Sequence, residues 1–338
     1  MTIPQLEIED GHVTRLPARG GLEAVHVFDA DSIAAVNATI AAGRALLLRG
    51  EPGTGKSQLA RAVAHELRVP FVSTTVDSRV EARDLLWRFD AVARLAAAQM
   101  AGALQLKNAD LAETLFVSPG PLWWAFDWES AAAQQKRCSE RASQPMLTPD
   151  RPGGWKPGDG VVVLIDEIDK ADPDVPNGLL EALGDGCFSI LGGGRIEMCG
   201  RPPLVMITSN EERALPDAFV RRCLVLELTL PDDKDKLIER LAGKEEHPAG
   251  ENRGQVGVGR SHFPHVHYEV LKEAARLLHE DRSKVQRGGQ RPGQAEYLDL
   301  VRAVVRGPRA GDKDAQLAAL KRLSRFTYCK QPRSSPDR

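Results

Sequence analysis

The feature that most constrains this sequence is a glycine-rich segment that lies between two regular elements. Residues 50–57 read GEPGTGKS and match the pattern G-x-x-x-x-G-K-S/T. The apolar run Ala45–Leu48 predicts a strand before the segment, and Leu59, Val63 and Leu67 recur at helical spacing after it. A strand, this turn and then a helix is the context in which the pattern binds phosphate groups.

The residue types in this segment suit a phosphate ligand. Glycines let backbone N–H groups point inward around phosphate oxygens, and the following helix presents its positive end to the same anion. We expect Lys56 to reach the β- and γ-phosphates and Ser57 to ligate Mg²⁺. The alternative is a glycine-rich turn that matches by chance, and the flanking elements argue against it. The predicted nucleotide-binding residues are Gly50, Glu51, Pro52, Gly53, Thr54, Gly55, Lys56, Ser57 and Gln58.

A second chemical signal is a pair of acids, Asp166 and Glu167, directly after the apolar run Val161–Ile165. In open parallel sheets, ligands bind at the carboxyl ends of strands, where these acids would lie. Asp166 is expected to hold the Mg²⁺ shell and Glu167 to polarise an attacking water. The two acids could instead cap the next helix, but Asp172 already supplies a good cap. With the phosphate segment, the pair indicates a nucleotide hydrolase.

Continuous apolar strands alternate with helical segments along most of the chain. This alternation is typical of an α/β fold with a parallel sheet covered by helices on both faces. Residues 1–20 show no clear pattern. The five predicted strands are Ala45–Leu48, Pro70–Val76, Val161–Ile165, Leu204–Thr208 and Cys223–Thr229.

Changes in composition suggest where domains begin and end. Residues 1–242 form the predicted α/β nucleotide-binding core, in which residues 91–160 carry an insert. The Gly-rich, charged stretch 243–261 is a predicted linker, and helical periodicity without strands predicts a small helical domain over residues 262–338.

Charge is unevenly distributed, although the net charge of the 338 residues is only −2. Residues 251–338 carry 18 Lys and Arg against 10 Asp and Glu, or +8, which leaves 27 against 37, or −10, for the remainder. A basic segment of this kind could bind nucleic acid or dock on the acidic part of a neighbouring copy. Composition alone does not choose between the two.

The sequence lacks features of secreted or membrane proteins. No apolar run approaches the roughly 18–20 residues that span a bilayer, and no signal peptide is evident. The five cysteines are scattered, which favours reduced thiols in the cytoplasm. His262, His265 and His267 fit no standard metal site and are interpreted as part of a linker.

The motif set resembles the AAA+ ATPases and, within them, the MoxR branch. The likeness covers about residues 28–231 and implies an AAA+ P-loop core followed by a small C-terminal helical lid. The segments that carry the resemblance are Gly50–Ser57, Asp84–Asp90, Gly120–Trp124, Val161–Asp174 and Ile207–Cys223.

The resemblance also implies roles for residues outside the two main motifs. Asn210 matches the sensor-one position, where an amide orients the attacking water, although turn asparagines are common at strand ends. Arg221 and Arg222 match the arginine finger that acts on a neighbour's nucleotide, with Arg222 slightly favoured and a solvated arginine pair as the alternative. Arg291 lies in the region of the sensor-two arginine, but Glu296 stands where some relatives place it.

A hairpin is predicted over Cys187–Cys199, with two short strands around Gly192-Gly193-Gly194. A symmetric register would place Cys187 opposite Cys199. Two free thiols are expected there, and a redox clip is the alternative.

The resemblance implies a function. The expected protein hydrolyses ATP with Mg²⁺, assembles as a hexameric ring, and remodels or activates client protein complexes with a von Willebrand factor A domain partner. A nucleic-acid motor or loader on the same core is the alternative, as is a nucleotide switch in a signalling or defence assembly. ATP itself is inferred from the resemblance, because the residues that contact the base have no recognisable pattern.

Overall fold

The computed structural model describes residues 3–19, 22–105, 110–244, 257–285, 291–307 and 312–328. The strands are β1 (Val13–Arg19), β2 (Leu22–Val27), β3 (Ala45–Arg49), β4 (Phe71–Thr75), β5 (Trp87–Phe89), β6 (Val117–Pro119), β7 (Val162–Asp166), β8 (Cys187–Ser189), β9 (Arg195–Glu197), β10 (Leu204–Thr208) and β11 (Cys223–Glu227). The helices are α1 (Ala30–Ala42), α2 (Lys56–Glu66), α3 (Ala91–Ala103), α4 (Pro121–Phe126), α5 (Trp128–Cys138), α6 (Asp174–Asp185), α7 (Asp217–Val220), α8 (Lys234–Ala242), α9 (Val258–His262), α10 (Tyr268–Lys284), α11 (Gln294–Val305) and α12 (Lys313–Thr327).

Two compact units alternate along the chain. The first unit contains Met1–Leu6, Ala35–Leu48 and Val63–Leu226. The second contains Glu7–Ala34, Arg49–Ala62 and Glu227–Arg338. The domain boundaries expected at residues 242 and 261 stay a prediction.

A five-stranded parallel sheet forms the centre of the first unit, with strand order β11-β3-β10-β7-β4. Leu46, Leu47 and Leu48 are fully buried, as continuous apolar strands in a sheet covered on both faces should be. The α/β fold class is confirmed. Each of the five predicted strands is present, with ends that differ from the prediction by at most two residues.

Two small antiparallel sheets of two strands each, β5–β6 and the hairpin β8–β9, complete the strands of the first unit. The predicted hairpin is present, but Cys187 pairs with Glu197 rather than Cys199. The symmetric register was wrong because the Ile190 N–H donates to the Gly194 carbonyl, which centres the turn on Gly192. Cys187 and Cys199 are free thiols, as expected.

Five helices, α8–α12, build the apolar core of the second unit. Leu237, Leu271, Leu278 and Leu300 are completely buried in it. Tyr297 is also completely buried, with its hydroxyl 3.3 Å from the Leu271 carbonyl oxygen. The C-terminal helical character predicted from periodicity is therefore confirmed for the described residues.

A hairpin, β1–β2, also belongs to the second unit and was not predicted. Val13 pairs with Val27 in this antiparallel hairpin, and Val27 packs against the helical core. The expected linker lies largely outside the described residues, except that its end forms α9. Among the described residues, no helix is both long and apolar enough to cross a bilayer.

Candidate functional site

The glycine-rich segment leaves β3 and enters α2 directly. Gly50, Gly53 and Gly55 all have positive φ angles, of 131°, 77° and 94°. At Gly50 a Cβ atom would lie 2.1 Å from the Leu228 carbonyl oxygen, so only glycine fits this position. The loop geometry thus depends on the glycines that defined the motif.

Lys56 is the first residue of α2 and its side chain is buried. Its ammonium donates to the carbonyl oxygens of Gly50 at 2.6 Å and Glu51 at 2.9 Å. The Thr54 hydroxyl donates to the Glu51 carbonyl as well, at 3.0 Å. The positive charge therefore lies within the loop at a helix N-terminus, which is an arrangement that binds anions.

Gln58 has a structural contact in this loop region. Its side-chain amide donates to the Val25 carbonyl of β2 at 2.6 Å. This bond ties the first turn of α2 to the β1–β2 hairpin. The contact of Gln58 with a nucleotide stays a prediction.

Arg282, on α10, contacts the glycine-rich segment of residues 50–57, which we call the phosphate loop. Its side chain is 5% exposed and donates to the Glu51 carboxylate and the Pro292 carbonyl, each at 2.8 Å. A guanidinium this deeply buried needs such partners, because an unpaired buried charge is strongly unfavourable. Sequence reasoning missed Arg282, since helical spacing gives no sign that an arginine on α10 reaches residue 51.

The start of α11 also contacts the phosphate loop. The Ala295 N–H donates to the Gly53 carbonyl at 3.1 Å. Glu296 accepts the Gly293 N–H at 2.9 Å and so caps its own helix. Arg291 pairs instead with Asp232 at 2.9 Å, and its sensor-two role stays a prediction.

The acidic pair lies in the first unit, at the carboxyl end of β7. The Thr208 hydroxyl donates to Asp166 at 2.5 Å and accepts the Glu167 N–H at 2.9 Å. One buried side chain from the neighbouring strand β10 thus fixes both acids. Thr208 lies in the segment that carried the resemblance, but its polar character inside an apolar strand was the signal that sequence reasoning overlooked.

Glu167 adopts a left-handed backbone conformation, with φ 62° and ψ 45°. Its carboxylate pairs with the Lys170 ammonium at 2.8 Å. This hydrogen bond raises the pKa of Lys170 above its ordinary value. A left-handed non-glycine residue is uncommon and often marks a functional position.

Asn210 follows β10 in a turn that Asp169 organises. The buried Asp169 carboxylate accepts the N–H groups of Asn210 at 3.3 Å and Glu212 at 3.0 Å. Asp169 therefore positions the backbone of Asn210 relative to the acidic pair, and sequence reasoning did not assign it this role. The third acid in the run Asp166–Asp169 was the available signal.

Arg221 and Arg222 follow α7 and are both exposed. Within the described residues, no ion pair to either guanidinium is present at salt-bridge distance. The pair is therefore accessible on the surface of the first unit. Its contact with a neighbouring nucleotide stays a prediction.

A cavity of about 160 Å³ in the second unit is lined in part by Thr54 of the phosphate loop, His26 and Arg240. Burial lowers the pKa of His26 from 6.5 to about 4. Asp29 opposes this lowering, whereas the positive charge of Arg240 and the nearby His262 add to it. His26 is therefore neutral at pH 7.

His262, interpreted from the sequence as part of a linker, lies at the end of α9. His262 accepts the Val25 N–H at Nε2, at 3.2 Å, which leaves Nδ1 to donate to the Val258 carbonyl at 2.9 Å. Among the residues that the structure describes, no group of three His, Cys, Asp or Glu could hold a metal ion.

Comparison with known families agrees with this geometry. Residues 45–223, more than half of the chain, match the family described as AAA domain (dynein-related subfamily). The chain belongs to this family, and it is an AAA-type ATP hydrolase. Nucleotide binding by the segment predicted from sequence is consistent with that membership.

The solved structures that match this chain have low sequence identity to it. A RuvB variant from Thermotoga maritima is 17% identical, with a TM-score of 0.41 and coverage of 87% of this chain and 68% of that one. A protein from Cytophaga hutchinsonii assigned as a candidate ATPase is 15% identical, with a TM-score of 0.36 and coverage of 88% and 79%. No curated protein matches the sequence.

Replacing Thr208 by valine keeps the side-chain shape but removes the hydroxyl that fixes Asp166 and Glu167. We expect ATP turnover to fall about 10- to 100-fold, the range seen when a partner that orients active-site ligands is lost. Steady-state hydrolysis assays test this, and Thr208→Ser should recover most of the rate. Wild-type turnover in Thr208→Val would show that the hydroxyl is not needed.

Replacing Arg282 by alanine leaves the Glu51 carboxylate without its buried partner. We expect the unfolding free energy to fall by about 3 kcal/mol, because one member of a largely buried ion pair is removed, and nucleotide affinity to fall with it. Arg276→Ala is the matched control, since the described partners of Arg276 are Glu273 and Glu280 of its own helix, at a more exposed position. Urea unfolding and ATP titration should separate the two variants, and equal behaviour would contradict the role of Arg282.

The lowered pKa of His26 predicts a pH-dependent stability. The unfolded chain takes up a proton near pH 6.5, whereas the folded chain does so only near pH 4, so stability is lost as pH falls between these values. Between pH 7 and pH 5, the unfolding free energy of the wild type should drop by about 2 kcal/mol more than that of His26→Phe. Urea unfolding at both pH values measures this difference. The exposed-site variant His265→Phe should follow the wild type, and a parallel drop in His26→Phe would refute the assignment.

Proposed function

We propose that this ATPase is a ring-forming member of the MoxR branch that uses ATP hydrolysis to remodel or activate partner protein complexes. The observation that carries the proposal is the exposed pair Arg221 and Arg222 on a chain that also holds a fixed acidic pair. An arginine that can reach a neighbour's nucleotide has a catalytic use only in an assembly. The motif resemblance supports a hexamer as that assembly.

The chain's own residues divide the work of hydrolysis. The backbone of residues 50–57 and the Lys56 ammonium bind the phosphates of ATP. Ser57 and Asp166 would hold Mg²⁺, which neutralises phosphate charge when bound. Glu167 accepts a proton from the attacking water, Asn210 orients that water, and Arg222 or Arg221 of a neighbouring subunit stabilises the charge that develops on the transferred phosphoryl group.

The chemistry of these residues, taken within each unit, supports a magnesium nucleotide as the ligand. The loop fits an anion because its glycines leave no side chain in the way, and Lys56 supplies a buried positive charge. Asp166 and Ser57 offer the oxygen ligands that Mg²⁺ prefers. Thr208 holds Asp166 in place for such a role.

A von Willebrand factor A domain protein is the proposed partner, on the strength of the MoxR resemblance. The segments Asp84–Asp90 and Gly120–Trp124 are part of that resemblance. In the structure the first contains β5, and the second directly follows β6, the antiparallel partner of β5. Affinity capture with such a protein, followed by ATPase assays with and without it, tests this part. Stimulation by DNA or RNA instead would favour the nucleic-acid motor.

Mixing two inactive variants tests catalysis between subunits. Arg222→Ala and Glu167→Gln should each lower turnover by about 10³-fold or more. A mixture should regain activity, because a site formed by Glu167 of one variant and Arg222 of the other is complete. Steady-state hydrolysis over a range of mixing ratios measures the gain.

The control is Arg137→Ala, which replaces an exposed arginine of α5 and should keep wild-type turnover. A mixture no more active than the mean of its two components would argue against action in trans. Loss of ATP binding in Glu167→Gln would mean that this variant reports on folding rather than on catalysis. The mixing experiment would then use Glu167→Asp.

A further inference from the structure

Helix α3, in the first unit, exposes apolar side chains to solvent. Its sequence, AVARLAAAQMAGA, contains one charged residue, Arg94, and within this helix Ala93 is the one buried residue. Four large apolar side chains of α3 and its C-terminal cap are between 61% and 67% exposed, namely Val92, Leu95, Met100 and Leu104. A helix that is apolar on all sides is normally covered, and a contiguous exposed apolar patch marks an interaction site.

The exposed face of α3 carries no charge. Arg94 is turned toward the rest of the first unit, because its guanidinium donates to the Leu111 carbonyl at 3.3 Å and pairs with Glu113 at 3.1 Å. At three- and four-residue spacing, the exposed face of the helix is formed by Val92, Leu95, Gln99 and Ala103. With Leu104 this face extends over about 18 Å, or three helical turns.

A cavity of about 210 Å³ lies at the start of α3. Val92 lines this cavity and also belongs to the exposed face, so the two surfaces are continuous. The other apolar side chains of the cavity wall include Phe89, Leu115, Phe116, Cys138 and Met146. The cavity is smaller than the roughly 300–1,000 Å³ of sites that enclose drug-sized ligands. Its size and wall suit a single large apolar side chain.

Asp90 holds the two sides of this cavity together. Its carboxylate accepts the Ala93 N–H at 2.8 Å, which caps α3, and the N–H and hydroxyl of Ser143 at 2.8 Å and 2.7 Å. The segment that follows α5 is thereby fixed against the start of α3. Among the described residues that line the cavity, Asp90 is the one acid, and its oxygens are occupied by these bonds.

Two exposed arginines, Arg88 and Arg141, also line the cavity. The Arg141 guanidinium donates to the Arg137 carbonyl at 3.5 Å. In the part of the chain that the structure describes, neither guanidinium lies within salt-bridge distance of a carboxylate. Because Asp90 is already bonded, the charge that this surface offers to a ligand is positive. Such a surface is complementary to carboxylates.

Two other occupants suit this surface less well than an acidic protein segment. In a two-fold contact between copies of this chain the same surface lies on both sides, so Arg88 and Arg141 would face their own counterparts. A helix that binds a lipid surface carries Lys and Arg along its polar face, whereas the one cation of α3 is paired with Glu113. Both the symmetry and the charge therefore favour a different, acidic partner.

We propose that the exposed face of α3 and the adjacent cavity bind an acidic amphipathic helix of a partner protein. An apolar side chain of that helix enters the cavity, its other apolar side chains pack on Val92 and Leu95, and its carboxylates pair with Arg88 and Arg141. Packing of an amphipathic helix on an apolar surface is a common mode of peptide recognition. The inference goes beyond the proposed function, because these residues take no part in ATP binding or hydrolysis there.

Fluorescence anisotropy with two labelled synthetic peptides tests the proposal on the full chain without nucleotide. The acidic probe is a peptide of about four helical turns with leucines at three- and four-residue spacing and glutamates beside them. The basic probe carries lysine in place of each glutamate. The wild type should bind the acidic probe about tenfold more tightly than the basic one, and added salt should reduce the difference because it screens exposed charges.

Two variants separate the charged from the apolar contribution. Arg88→Glu combined with Arg141→Glu should reverse the preference, so that the basic probe binds more tightly than the acidic one. Leu95→Ser should weaken the binding of the acidic probe about tenfold, because it removes apolar contact area. These side chains are exposed, so we expect both variants to fold, and circular dichroism checks that they do.

The controls are exposed residues of α12 in the second unit. Phe326→Ser, at a residue that is 67% exposed, and Arg322→Glu combined with Arg325→Glu should both behave as the wild type does. Equal affinity of the wild type for the two probes would overturn the proposal, as would an unchanged preference in the doubly reversed variant.

Sedimentation of the wild type and of Leu95→Ser covers the case of a second copy as the occupant. Self-association that Leu95→Ser abolishes, in a protein that binds neither probe, would assign the face of α3 to a second copy and overturn the proposal. A chain that binds no nucleotide but keeps its preference for the acidic probe would contradict the proposed function and support this inference. The two failures are thus distinguishable.

Discussion

The Lys56 ammonium, which is bonded to the carbonyl oxygens of Gly50 and Glu51, is the interaction on which the site depends. It draws the start of the loop back toward the first turn of α2. The close approach of Gly50 to the Leu228 carbonyl leaves no room for a side chain on that face. Lysine and glycine thus fix one backbone path, and this path determines where N–H groups can meet a phosphate.

Helices α10 and α11 contact the phosphate loop at several points within the second unit. Arg282 bonds Glu51 and the Ala295 N–H bonds the Gly53 carbonyl. A Cβ at Gly293 would come within 2.8 Å of the Pro52 carbonyl oxygen. Because three successive loop residues are contacted in this way, the helices and the loop cannot change conformation independently. The C-terminal helices are therefore coupled to the backbone of the loop, at which nucleotide binding is proposed.

The sequence alone predicts those structural elements that are determined by neighbouring residues in the chain. The glycine pattern at residues 50–57 and the apolar runs of the five-stranded sheet depend on neighbouring residues, and the structure contains them. The strands β5 and β6, of three residues each, are too short to show a period. Arg282 and Glu51 are 231 positions apart, and helical spacing indicates only which face an arginine occupies. The apolar run predicts Thr208 only as a strand residue, although its hydroxyl bonds both members of the acidic pair.

The backbone of Glu167 explains how two adjacent acids can perform different tasks. In a continued strand, Asp166 and Glu167 would point to opposite faces of the sheet. The left-handed conformation of Glu167 ends the strand and redirects the chain at a cost of order 1 kcal/mol or more. The bond from its N–H to Thr208 and its ion pair with Lys170 offset that cost. Because Thr208 also holds Asp166, we infer that the strained backbone keeps Glu167 at the same edge of the sheet as Asp166, where one carboxylate can bind metal and the other can face water.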